Sequence, residues 1–276
     1  SNPTIKTSFS YDPNGNLDLT TDTLGALPRV DDNDYDPLNR LIRSIQDKDT
    51  TAVPGNVEIG ATVEYQYDAR DNLRRVLDPK LLPTDYVYDG LDNQTALVSP
   101  DTGTTSFTHD KAGNILIKTD NRLVQSIHSY DALNRLTAIV YPSDTTLNKA
   151  FYYDVSQADC QPSESFAVGR MARMTDKTGE TRFCYDRRGN LTRKVQQNTL
   201  FPATQTVQYQ YNLADRVVGI TYPSGAALTY SRDTQGRING ASVVIDGSTI
   251  ALVTSVSYRP FGAMSQLSFA NGQTLT

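Results

Sequence analysis

Tryptophan is absent from this sequence, and histidine and cysteine occur only twice each. Two histidines, His109 and His128, do not make a metal centre, and no further ligands stand near them at metal-site spacing. A Ser-His-Asp arrangement has no local signature. Two cysteines, Cys160 and Cys184, are too few for a disulfide framework; one bridge between them and two free thiols both fit the sequence. Basic runs are missing as well. The 26 Lys and Arg are scattered among 31 Asp and Glu, with a net charge of -5 and a pI near 5.1. That argues against nucleic acid and against an anionic membrane surface. No stretch approaches the ~18 apolar residues of a membrane span. No signal peptide opens the chain, and Ser1-Asn2 reads as a cloning remnant, so the natural N-terminus is expected elsewhere. Helix-period segments longer than a turn or two are also lacking, and with them any phosphate loop ahead of a helix. Turns of the form Asp-x-x-Gly lack the dense ligand spacing of calcium loops. No cofactor is expected.

What the chain does have is tyrosine: 16 Tyr and 8 Phe in 276 residues. Hydrophobic residues make up only 38%, and mean hydropathy is -0.46. This balance suits a single sheet layer with one wet face and one partly buried face.

The aromatics recur in order. One phrase runs aromatic, any, aromatic, Asp, two residues, then Gly, Asn or Asp, then Asn or Arg, then an aliphatic. Phe9-Ser10-Tyr11-Asp12 leads to Gly15-Asn16-Leu17, and Tyr35-Asp36 to Asn39-Arg40-Leu41. Tyr65-Gln66-Tyr67-Asp68 leads to Asp71-Asn72-Leu73, and Tyr86-Val87-Tyr88-Asp89 to Asp92-Asn93. Phe107-Thr108-His109-Asp110 leads to Gly113-Asn114, and Tyr130-Asp131 to Asn134-Arg135. Phe183-Cys184-Tyr185-Asp186 leads to Gly189-Asn190-Leu191, and Tyr209-Gln210-Tyr211-Asn212 to Asp215-Arg216. A weaker copy has Tyr230, Asp233 and Gly236-Arg237. Asp68, Asp89, Asp110 and Asp131 follow one another at steps of 21, so the phrase is a structural repeat.

Each part has a physical reason. Aromatics two apart share one strand face. Asp at the first turn position accepts from backbone amides two residues on. Gly, Asn or Asp three residues later tolerates a left-handed backbone. Together they predict a type I turn with a following bulge, joining two antiparallel strands. Looser turns are expected between copies, at Asp22 to Gly25, Pro100 to Gly103, Asp120-Asn121, Pro142 to Asp144, Asp176 to Gly179 and Pro223 to Gly225. The expected fold is all-β, a single array over 1–276. Tyr152-Tyr153-Asp154 opens a degenerate copy with an irregular insertion at about 154–168, and Gly169-Arg170-Met171 resumes the pattern. Tyr258-Arg259-Pro260-Phe261-Gly262 and Asn271-Gly272 read as further turns.

The phrase resembles the YD repeat of Rhs proteins, of the C component of Tc insecticidal toxins, and of teneurins, roughly Y-x-Y-D-x-x-G-R/N-L. Phe9 to Leu17 and Phe183 to Leu191 match it closely, and the resemblance runs from residue 9 to about 272. It implies a β-ribbon wound into a hollow shell much longer than this chain, of which this chain is part of a wall. In bacterial members the shell encloses a C-terminal toxin segment of the same polypeptide, which implies secretion or cell-surface display through a specialised export system. Self-cleaving members use acidic residues in Asp-Pro-x-Gly elements near the shell's end. Asp12-Pro13-Asn14-Gly15 has those letters but coincides with a repeat turn, so no catalytic role is assigned to it.

The conspicuous aspartates follow the repeat, so paired carboxylates of the glycosidase kind are not expected, nor is an enzyme. The aromatic ladder of Tyr11, Tyr35, Tyr67, Tyr88, Tyr130, Tyr185 and Tyr211 reads as stacking that holds hairpins in register. The alternative is a carbohydrate-binding or adhesion module whose aromatics meet cell-surface glycans.

Overall fold

The computed structural model describes residues 6–23, 28–48, 60–201, 203–260 and 262–275. They form 23 strands, every strand pairing is antiparallel, and no α-helix occurs among them. Two short 3-10 turns, Thr145–Leu147 and Pro162–Glu164, are the only helical pieces described. Most strands run five to eight residues; Ser248–Tyr258 has 11 and Thr274–Leu275 has 2.

The chain divides into two compact units, Ser1–Ile127 and His128–Thr276. In the first, strands pair in chain order from Thr7–Tyr11 with Leu17–Asp22, through Arg29–Tyr35, Leu41–Gln46, Ala61–Tyr67 and onward to Ile115–Thr119. The second is likewise a meander, from Leu136–Val140 and Lys149–Tyr153 through Gly179–Tyr185 and Leu191–Asn198 to Thr274–Leu275.

Neither unit has a thick core. Val30, Ile45, Ala167, Ala172, Cys184 and Val195 are the hydrophobic residues fully buried among those described. The strand period explains this: beyond the exposed first pair, Phe9 and Tyr11, the paired aromatics are half-buried on one face, while the residue between them points the other way. That middle residue is exposed at Ser10, Gln66, Val87, Thr108, Ser129 and Gln210. A sheet covered on so little of its area draws its stability from pairing and from side chains that cross between hairpins.

Candidate functional site

The tips of the repeat hairpins share one geometry. At Asp12, the Gly15 amide donates to the Asp12 carbonyl (3.0 Å) and the Asp12 amide donates to the Asn16 carbonyl (2.9 Å). The amides of Asn14 and Asn16 donate to the Asp12 carboxylate (2.9 and 2.8 Å). The same set recurs at Asp36, Asp68, Asp89, Asp110, Asp131, Asp186 and Asp233, with Asn212 in the aspartate's place at one tip. Gly15, Asn39, Asp71, Asp92, Gly113, Asn134, Gly189, Asp215 and Gly236 all sit at positive φ, from 57° to 90°. A bulge accompanies the tips at Asp12, Asp36, Asp68, Asp89, Asp110, Asp186, Asn212 and Asp233: Gln66 faces Arg75, but Tyr67 faces Leu73. The expected Pro100–Gly103 and Asp176–Gly179 turns are present, with Gly103 and Gly179 at positive φ. The Asp22–Gly25 turn and Phe261 lie outside the described residues.

The opposite rim holds a difference. Asp78 and Asp120 make the tight aspartate-capped turn there too, with Leu81 (φ 61°) and Leu123 (φ 63°) in the left-handed position. Leucine is strained in that conformation, and the two amides bonded to each carboxylate hold the turn in place. Asp246-Gly247 forms a two-residue hairpin turn with both residues at positive φ, 48° and 77°, between the paired Ile245 and Ser248. Asp-Gly is the strongest short hairpin signal, and it went unread in the sequence.

The ladder tyrosines bind each hairpin to the one before it. The hydroxyl of Tyr35 donates to the Leu17 carbonyl (3.0 Å), Tyr67 to Leu41 (2.9 Å), and Tyr88 to Leu73 (3.1 Å). Tyr153 reaches Leu136 (2.9 Å), Tyr185 reaches Met171 (2.8 Å), Tyr211 reaches Leu191 (2.9 Å) and Tyr258 reaches Ile238 (2.6 Å). Every acceptor is the first residue after a hairpin tip. In the weak copy Arg232 stands in the tyrosine slot and donates to the Val217 carbonyl (2.6 Å), the equivalent acceptor. Tyr130 is half-buried at the end of its strand. Tyr11, in the first described hairpin, is 62% exposed. Replacing Tyr67 with Phe removes one such donor and is expected to cost about 1 kcal/mol in urea unfolding, whereas Tyr11→Phe should be silent.

The tips are joined too. The Asn or Arg that ends each turn bonds its own aspartate and then reaches the left-handed residue of the next tip. Asn16 reaches Asn39 (2.9 Å), Arg40 reaches Asp71 (2.6 Å), Asn72 reaches Asp92 (2.7 Å) and Asn190 reaches Asp215 (2.7 Å). Arg135 lies between Asp131 (2.7 Å) and Asp154 (2.6 Å). Where the next residue is glycine, the side chain fills the place a Cβ would take: Arg170 at Gly189 and Arg216 at Gly236. Arg40, Arg135, Arg170 and Arg237 also lie over the next ladder ring, Tyr67, Tyr153, Tyr185 and Tyr258, at 4.3–5.7 Å from its centre.

These bonds set the electrostatics. The Asn side-chain amide of the same turn is the main cause holding Asp12, Asp68, Asp89 and Asp110 below the usual carboxylate range. At Asp36 and Asp131 the chief cause is the backbone N–H of Arg40 and Arg135. At Asp186 and Asp233 burial pushes upward, and the hydrogen bonds from Asn190 and Arg237 help outweigh it. A carboxyl depressed in the folded state adds stability above its unfolded value, about 3.9, that is lost as pH falls through the folded value. The melting temperature is therefore expected to be flat above about pH 5 and to fall below about pH 4. Burial raises the phenols of Tyr35, Tyr67, Tyr88, Tyr185 and Tyr211. Their contribution is present below about pH 10 and lost above it. A melting temperature unchanged from about pH 5 down to about pH 2 would contradict the aspartate caps.

The insertion departs from the repeat. Asp154 (φ 70°) donates its amide to the Arg170 carbonyl (3.1 Å) and accepts from the Gly169 amide (2.7 Å). Gly169-Arg170 thus closes the tip as Gly15-Asn16 does elsewhere, across residues 155–168. Those residues fold back onto the neighbouring hairpin. Glu164 accepts from Arg193 Nε (3.1 Å), the Phe166 amide donates to the Tyr185 carbonyl (3.1 Å), and Asp159 pairs with Arg182. Cys160 is joined to Cys184, with the two Cα atoms 5.4 Å apart. Cys184 occupies the middle slot that is exposed in other copies, yet it is 1% exposed, and Val195 beside it is 3% exposed. His109 lies in the tyrosine slot of its strand, opposite Ile115. No group of three or more metal-ligating side chains is found among the described residues.

These contacts define a tandem hairpin array in which side chains, and no separate core, bind each hairpin to the next. Within the array, residues 185–227 match the family described as RHS Repeat. The fold of the array is shared with a crystal structure of TcdB2-TccC3 (TM-score 0.69, 17% identity, 97% of this chain and 16% of that one). A TcdB2-TccC3 structure without the hypervariable C-terminal region matches similarly (TM-score 0.68, 17% identity, 98% and 16%). So does a Tc holotoxin pore of Photorhabdus luminescens (TM-score 0.67, 17% identity, 97% and 16%). The chain thus spans about one sixth of the length of these proteins. No curated protein matches the sequence.

Proposed function

We propose that this chain is a non-catalytic wall segment of an RHS-repeat shell, one array over 1–276, which encloses a C-terminal toxin or effector segment of the same polypeptide. The observation that carries this reading is the hairpin-to-hairpin lattice. Tyrosine hydroxyls and tip Asn or Arg repeat one contact along each unit, a design that extends a wall by adding copies and commits its conspicuous polar groups to structure. The shared fold with chains about six times longer supports it. Export to the cell surface or the medium through a specialised system goes with the reading. Nucleic acid and membrane spans have no part in it. The ladder does not favour the glycan alternative, because its hydroxyls are spent on backbone carbonyls.

The natural gene product tests it. Its intact mass should lie well above the 30.5 kDa of this chain, and limited proteolysis should leave a protected C-terminal segment. A product of about this mass, with nothing protected, would remove the cargo.

A further inference from the structure

An aspartate or asparagine stands directly before glycine at Asn14-Gly15, Asp89-Gly90, Asn239-Gly240, Asp246-Gly247 and Asn271-Gly272. Such a pair can cyclise, because glycine has no Cβ to hinder attack of its amide nitrogen on the side-chain carbonyl carbon before it. The attack needs an amide that donates to nothing else and a side chain free to turn back.

All but one of the pairs fail that requirement. The Gly15 amide donates to the Asp12 carbonyl (3.0 Å), and the Gly272 amide donates to the Phe269 carbonyl (3.1 Å). The Asp89 carboxylate accepts from the Leu91 and Asn93 amides (2.8 and 3.0 Å) and from the Asn93 side chain (3.0 Å). Asn239-Gly240 lies within the paired strand Ile238–Ile245, with the Asn239 side-chain oxygen buried. Asp246-Gly247 is exposed, and neither the Asp246 carboxyl nor the Gly247 amide has a hydrogen bond or ion pair among the described residues. Its turn lacks the carboxylate cap of the repeat tips and is closed by the paired Ile245 and Ser248. Rotation about Asp246 therefore breaks no side-chain bond.

We propose that Asp246-Gly247 is a modification site, where aspartate isomerises spontaneously to isoaspartate with water as the co-reactant. The Gly247 nitrogen bonds to Asp246 Cγ, the Cγ–OH bond of the protonated carboxyl breaks, and the amide proton leaves with that hydroxyl as water. Water then opens the cyclic imide. Addition at Cγ restores aspartate. Addition at the main-chain carbonyl breaks its bond to the Gly247 nitrogen, and the chain then runs through Cβ and Cγ. That path is longer by a methylene. A two-residue loop fixes strand register, so the isomer loosens the Val244–Thr249 and Ile245–Ser248 pairs. The site stands independently of the shell reading.

The test is to age the chain for weeks at mildly acidic pH and body temperature, then digest it with an endoproteinase that cuts before aspartate but not before isoaspartate. Cleavage before Asp246 should be lost progressively at unchanged mass. Electron-transfer fragmentation should place isoaspartate there ahead of the other pairs, and amide hydrogen exchange at residues 244–249 should speed up. Asp246→Asn keeps a favoured two-residue turn and reports the same imide by a mass change, through loss of ammonia. In the folded variant that asparagine should convert about tenfold faster or more than Asn14 and Asn271, and in urea the three rates should converge. Three outcomes overturn the proposal: cleavage before Asp246 stays complete, isoaspartate forms first at another pair, or the asparagine placed at 246 converts no faster than Asn14 and Asn271 in folded protein.

Discussion

Gly189→Val is expected to destabilise the array by about 2–4 kcal/mol, read as a lower urea midpoint. Two costs add. Gly189 has φ +90°, where a β-branched residue is strained. A Cβ built there would stand 2.0 Å from Arg170 Nη2. Arg170 would have to leave the place from which it bonds the Phe166 and Val168 carbonyls (3.3 and 3.0 Å) and lies over Tyr185. Gly15→Val is the matched control, because nothing lies within 4 Å of its Cβ position. It should show only the backbone cost, about 1–2 kcal/mol. Equal effects would mean that the tip-to-tip contact adds nothing. An unchanged midpoint for Gly189→Val would contradict the left-handed turn itself.

Loss of the Cys160–Cys184 bridge is the second large effect. The cysteines are 24 residues apart in sequence, and closing a loop of that size contributes about 3–4 kcal/mol in the chain-entropy account. Cys160→Ala, or a dithiol reductant on the unaltered protein, should lower the melting temperature of the second unit and open residues 155–168 to protease. The first unit should be unaffected. The Arg193–Glu164 and Phe166–Tyr185 bonds remain, so the segment should loosen without the hairpins unfolding. Thiol labelling of the native protein before reduction, with no change in melting on reduction, would show that the two thiols are free.

Much of this fold was legible because its rules are local. Tyr11, Asp12 and Gly15 lie within five residues of one another, and strand period and turn chemistry say what such a group must do. The contacts between hairpins were less legible, because they depend on the register of one copy against the next. Nothing in Arg40 alone says that it meets Asp71. Arg232 made its copy look weak, yet a long side chain with several donors does the tyrosine's work there. Leu81 and Leu123 were unreadable as left-handed residues, since leucine opposes that conformation and only Asp78 and Asp120 signalled the turn. The insertion was visible as an interruption. That it folds back over Cys184 was not, because both cysteine states fitted the sequence.

The central claim is that this array is the wall of a container. Electron cryo-microscopy of the natural gene product tests it most directly, compared with the same protein cut short after this array. The expected result is that residues 6–275 form a continuous stretch of a closed wall, with density inside it that disappears in the shortened protein. An array with both faces open to solvent and no enclosed density in either protein would contradict the account.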